Sequence, residues 1–94
     1  MTVTVKFVGA LRSASGKGNF AVQVKEAVSV REVVNKIVEE LPRLKRALSD
    51  PQLENQRPNA LILVNGKEIS VLKGLETMLK DGDEIVLVPV THGG

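Results

Sequence analysis

The chain has 94 residues, enough for one domain and too few for a second with its own core. Apolar residues make up 43%, the only aromatics are Phe7 and Phe20, and cysteine is absent, so the interior must be built from Val, Leu, Ile and Ala. Disulfides, thiolate nucleophiles and cysteine-ligated metals are thereby excluded. The formal charge is +2, and the basic residues are scattered apart from Arg43, Lys45 and Arg46. A dense basic stripe and stacking aromatics are both missing, so direct nucleic-acid binding is not expected.

Met1-Thr2-Val3-Thr4-Val5-Lys6 alternates as a strand does, with Val3, Val5 and Phe7 on one face, and lacks the features of a signal peptide. No apolar run approaches membrane-spanning length, so a soluble cytoplasmic protein without membrane contact is expected. Gly9 to Gly18 is rich in Gly, Ser, Arg and Lys and reads as a hairpin connection. Phe20, Val22 and Val24 then alternate with polar or small residues, predicting a second strand antiparallel to the first.

The period changes next. Val30, Val33, Val34, Ile37, Val38 and Leu41 fall at helical spacing and form one apolar stripe. Ser29-Val30-Arg31-Glu32 is a capping box, in which the Ser29 hydroxyl accepts from the Glu32 amide while Glu32 reaches back. Such a cap contributes about 1 kcal/mol. The β-branched residues lower intrinsic helicity, so packing of the stripe against a sheet must hold this helix. Pro42 interrupts or restarts it, with a further short turn over Arg43–Leu48.

Ser49–Pro58 is polar, contains two prolines and reads as an exposed loop. Ala60-Leu61-Ile62-Leu63-Val64 is apolar throughout, as in an interior strand buried on both faces. Asn65-Gly66 is the strongest hairpin signal in the chain, and Lys67-Glu68-Ile69 starts the return strand. Asp81-Gly82-Asp83 is a second tight turn, leading into a final strand over Glu84–Val90. Pro89 has no amide donor, so ladder pairing should fade near it. The order of two hairpins flanking one striped helix predicts an α+β, β-grasp (ubiquitin-like) domain. About five strands form a mixed sheet on one main helix, with the first and last strands adjacent in the middle. The expected division is a domain over 1–90 and a flexible tail over 91–94.

The tail, Thr91-His92-Gly93-Gly94, holds the candidate site. Four residues beyond the strand reach about 13 Å at 3.3 Å each. The glycines keep the tail thin and adaptable, suited to threading into a narrow channel of a partner enzyme. Small residues are common at frayed chain ends, so Gly-Gly means little by itself; its place directly after the last strand of such a domain gives it weight. A free carboxylate is a poor electrophile, but one activated with MgATP becomes an acyl-adenylate that a sulfur nucleophile or an amine can attack. None of this chemistry needs a catalytic residue or a bound cofactor in the chain itself.

The strand Val3-Thr4-Val5-Lys6-Phe7, the helix Val30-Arg31-Glu32-Val33-Val34, the segment Leu63-Val64-Asn65-Gly66-Lys67-Glu68-Ile69, the turn Leu79-Lys80-Asp81-Gly82-Asp83-Glu84-Ile85 and the tail Pro89-Val90-Thr91-His92-Gly93-Gly94 together resemble the MoaD/ThiS family of ubiquitin-like sulfur carriers, in particular archaeal MoaD-like small modifier proteins. The resemblance covers essentially the whole chain. It implies that Gly94 is adenylated by an E1-like enzyme of the ThiF/MoeB type and becomes a thiocarboxylate. That form would serve molybdopterin synthase with its large subunit, thiamine synthesis, or a tRNA thiolation enzyme making thiouridine. In some relatives the same terminus forms isopeptide bonds to protein lysines. The insertion around Ser49–Pro58 departs from the minimal thiamine carriers and favours the MoaD-like and tRNA-modifying branches; the His-Gly-Gly ending resembles the latter.

Among the remaining residues, His92 is better explained as part of the tail read by a partner, with Thr91 and Gly93, than as a proton-transfer group. Asp81, Asp83 and Glu84 fit turn chemistry better than a metal site. In the last strand Ile85 and Leu87 oppose Val86, Val88 and Val90, and Leu61 and Leu63 oppose Ile62 and Val64. One set packs under the helix and the other leaves an apolar outer face. Val86, Val88 and Val90 are accordingly expected to form a patch that docks the activating enzyme or a synthase, the alternative being partial cover by loops or a dimer contact. The competing functions are a protein modifier joined through Gly94 to lysines and a β-grasp interaction module with an inert tail.

Overall fold

A computed structural model describes residues 1–44 and 60–89. The expected Ser49–Pro58 loop, most of the Arg43–Leu48 turn, Val90 at the end of the expected final strand and the tail over 91–94 lie outside the described residues. Five strands form one mixed sheet: β1 (Thr2–Phe7), β2 (Asn19–Gln23), β4 (Ala60–Val64), β5 (Lys67–Glu68) and β7 (Glu84–Pro89), ordered β2-β1-β7-β4-β5. β1 and β7 run parallel at the centre, with Val5 opposite Ile85 and Phe7 opposite Leu87. The β-grasp expectation holds in its strand count, its mixed pairing and its central pair.

The main helix, α2 (Val30–Glu40), starts where the capping box places it. Ser29 Oγ accepts the Glu32 N–H at 3.2 Å, and the Ser29 N–H donates to Glu32 Oε2 at 3.3 Å. Val30, Val33, Val34 and Ile37 are buried, and Val38 and Leu41 pack at the margin. They meet Val3, Val5, Phe7, Val22, Ile62, Val64, Ile85 and Leu87 from one face of the sheet. Fully burying each large side chain contributes about 1.5–3 kcal/mol. The apolar alternation of the strands and the helical stripe therefore converge on one core.

Four expectations need correction. The Gly9–Gly18 connection contains a short helix, α1 (Ala10–Ser15). It forms because Leu11 is pulled into the core, and Gly16, at φ +74°, ends it by donating to the Arg12 carbonyl. β4 is interior to the sheet but buried on one face only, since Ile62 and Val64 point inward while Leu61 is 40% exposed. The return strand β5 is just two residues long and gives way to a 3₁₀ turn over Ile69–Val71, where the Glu68 carboxylate accepts from the Ser70 N–H. A second, two-stranded sheet pairs β3 (Val28–Ser29) with β6 (Met78–Leu79), beside a 3₁₀ turn at Gly74–Glu76.

Pairing also persists further along β7 than the proline suggested: Pro89 stays opposite Ala60 of β4. Backbone alternation explains why. The Asn65 N–H donates to the Glu84 carbonyl, so Glu84, and with it Val86 and Val88, bond toward β4. Leu87 faces the other way and accepts the Val8 N–H at 3.2 Å. Pro89 shares the Leu87 side, where the β1 register ends at Phe7, so its missing donor breaks no rung.

Candidate functional site

The site is assembled at the C-terminal end of β7. Of the tail residues singled out, Val90, Thr91, His92, Gly93 and Gly94 all lie outside the described residues, so the described part is the root of the tail and the face beside it. The root is Pro89. It packs on Gly9, which holds φ +60° and ψ −134° at the corner between β1 and α1. A Cβ on Gly9 would sit 3.3 Å from Pro89 Cγ. Glycine lets the corner fold closely over the strand end, in a conformation that other residues rarely adopt.

Val86 and Val88 are half-buried on the face turned away from α2. Register brings Leu61 opposite Val88 and Leu63 opposite Val86, so two strands join their outward side chains into one apolar area. β1 extends it: Lys6 lies opposite Val86, and two residues on, the outward position is Val8, 44% exposed. Val8 lies one residue past the strand end that the sequence predicts at Phe7, which hides it from that pattern. The Thr4, Lys6, Val8 alternation was the available signal. Lys6 Nζ and Glu84 Oε2 form an ion pair at 3.2 Å at the edge of this area, both side chains about half exposed. Contiguous open apolar surface rimmed by charge is the pattern of a protein-docking face.

The acidic turn is engaged by its own fold. Asp83 is buried; Oδ1 accepts from Asn65 Nδ2 at 3.0 Å and Oδ2 from the Lys80 N–H at 2.8 Å. Asp81 Oδ1 accepts the Thr2 N–H at 2.7 Å. With Glu84 paired to Lys6 across neighbouring strands, turn chemistry and that ion pair account for all three carboxylates. Among the described residues no group of three His, Asp or Glu side chains is arranged around a common point. A cleft of about 750 Å³ lies between Met1, Val24, Val28 and Val33, at the far end of the sheet from Pro89. No helix among the described residues is long and apolar enough to cross a membrane.

Comparison with known proteins bears on the whole of this arrangement. The model of the ThiS family matches residues 5–94. Small archaeal modifier protein 3 of Haloferax volcanii is 27% identical over 95 aligned residues that span all of both chains. The solution structure of small archaeal modifier protein 1 from Methanosarcina acetivorans superposes with a TM-score of 0.82 at 33% identity, covering 99% of this chain and 96% of that one. A chain of the BexX/CysO complex of Amycolatopsis orientalis gives a TM-score of 0.70 at 29% identity, with 98% and 99% covered.

Proposed function

The chain belongs to the ThiS family of small ubiquitin-like carriers and modifiers, and from that premise we propose that it is a sulfur carrier whose reacting group is the Gly94 carboxylate. An E1-like adenylyltransferase of the ThiF/MoeB type would dock on the outer face made by Val86, Val88, Leu61, Leu63 and Val8, the face on which the sequence alternation expects Val90 as well. Thr91, His92 and Gly93 would be read along its channel, delivering Gly94 to MgATP. The carboxylate oxygen attacks the α-phosphorus and pyrophosphate leaves, giving the acyl-adenylate. A sulfur nucleophile at the hydrosulfide level then attacks the carbonyl carbon and AMP leaves, so the terminus becomes a thiocarboxylate. The chain holds the carboxylate out and the partner supplies the catalytic groups and the nucleotide, in the cytoplasm, where ATP is available.

The observation that carries this reading is the family match running through residue 94, onto a strand end that emerges beside an open apolar face. The large subunit of molybdopterin synthase or a tRNA thiolation enzyme would receive the sulfur. The two small archaeal modifier proteins among the relatives favour a second use of the same adenylate, attack by a target lysine to give an isopeptide bond. Mass spectrometry of the chain from its native host distinguishes the two. Exchange of a terminal oxygen for sulfur supports the carrier, and Gly-Gly remnants on lysines of other proteins support the modifier. If neither is found, and a chain lacking Gly93-Gly94 retains full function in the host, the tail is inert and the proposal fails.

A further inference from the structure

Asn65 and Gly66 form the turn between β4 and β5, at φ +49° and +85°. An asparagine before glycine is a chemical weak point, because no Cβ shields the glycine nitrogen from the neighbouring side-chain carbonyl. Here that side chain is latched at both atoms. Asn65 Nδ2 donates to Asp83 Oδ1 at 3.0 Å, and Asn65 Oδ1 accepts the Glu84 N–H at 3.0 Å. Asp83 is itself buried and fixed by the Lys80 N–H at 2.8 Å. The Asn65 amide must break both of its bonds before its carbonyl carbon can turn toward the Gly66 nitrogen.

We propose that Asn65 is a latent deamidation site, preserved while the Asp83 latch is closed and converted irreversibly once it opens. In the reaction the Gly66 nitrogen bonds to Asn65 Cγ and the Cγ–Nδ2 bond breaks. Ammonia leaves, carrying the proton that the Gly66 nitrogen gives up. Water then opens the cyclic imide at one carbonyl or the other, leaving aspartate or isoaspartate, with no change of oxidation state. Either product replaces the donor facing Asp83 Oδ1 with a carboxylate oxygen, so an attractive contact becomes a repulsive one. Isoaspartate also adds a backbone carbon to a two-residue turn that sets the register of β4 and β5. Opening, once followed by reaction, cannot be undone by refolding.

The test follows modification at residue 65 by peptide mass spectrometry, at mildly alkaline pH. It uses the full chain, the full chain in urea, Asp83→Ala, and a core variant of equal urea midpoint chosen from Leu79→Ala and Ile62→Val. The folded chain should react at least about tenfold more slowly than the chain in urea, because reaction must wait for opening. Asp83→Ala should react at least about threefold faster than the matched core variant, which keeps the latch. Equal rates in those two variants would show that opening of the whole domain governs the reaction, and would overturn the latch. So would a folded chain that reacts as fast as the chain in urea. Should Asp83→Ala not fold, Asp83→Asn, whose single amide oxygen cannot accept from both Asn65 Nδ2 and the Lys80 N–H, loosens the latch and carries the same direction of change. Asn65→Asp should melt below the parent chain while Asn65→Gly, which keeps the turn, loses less; the reverse order would remove the claimed consequence.

Discussion

Replacing Asp83 by alanine removes a buried carboxylate that ties the last turn to the β4–β5 turn. Two hydrogen bonds go with it, from Asn65 Nδ2 at 3.0 Å and from the Lys80 N–H at 2.8 Å. Hydrogen bonds to a charged group contribute about 1.5–3 kcal/mol each. Asn65 and Lys80 are exposed, so their freed donors recover part of this from water, and a net loss of about 2–4 kcal/mol is expected. For a domain of this size each kcal/mol moves Tm by about 4–8 °C, so Tm should fall by at least about 8 °C. Asp81→Ala is the internal comparison, since Asp81 is exposed and holds a single bond, to the Thr2 N–H at 2.7 Å. Its loss should be about 0.5–1 kcal/mol. Thermal melts followed by circular dichroism, with urea titrations for the free energies, read both variants. If Asp81→Ala costs as much as Asp83→Ala, burial does not set the strength of these bonds and the reasoning fails.

Three further outcomes are expected. Val88→Asp puts a charge on the outer face at a half-buried strand position, so binding to the activating enzyme, measured by calorimetry, should weaken at least about tenfold while the domain stays folded, with about 1 kcal/mol lost in urea unfolding. Ser29→Ala removes the cap of α2 and should lower stability by about 1 kcal/mol in urea unfolding, with no change of fold in the far-ultraviolet spectrum. Gly9→Ala meets both an unfavourable φ and the Pro89 ring at 3.3 Å, and should cost about 1–3 kcal/mol in the same titration. Gly16→Ala shares the positive φ, but nothing lies within 4 Å, so it should cost less.

Most of the fold was legible because its signals are local and long enough to count. The stripe from Val30 to Leu41 covers three turns, and the alternation in β1, β2 and β7 repeats often enough to fix which face is buried. The missed elements are too short to carry a period. Leu11 is the one buried apolar side chain of α1, and a single residue shows no spacing; the core imposes that helix. β3 and β6 have two residues each, and their pairing depends on where distant loops meet. The site divides in the same way. Val86 and Val88 follow from alternation, whereas the contact of Gly9 with Pro89 joins opposite ends of the chain and leaves no trace in either segment. Asp83 was legible as a turn residue. Its burial against Asn65 was not, because the two lie 18 positions apart.

The parallel pair at the centre of the sheet sets an order of events during synthesis. β1 is made long before β7, yet Val5 and Ile85 must lie side by side. Closing that pair joins residues 80 positions apart (85 − 5), which makes it a late and slow step of folding. A nascent chain still holding β7 inside the ribosome has β1 and β4 with an unfilled gap between them, and no outer face in which Val86 and Val88 join Leu61 and Leu63. The same strand completes the interior and carries Pro89. A molecule that presents a finished face at its tail root has therefore already been proofread by its own topology, and a chain truncated before Glu84 has neither.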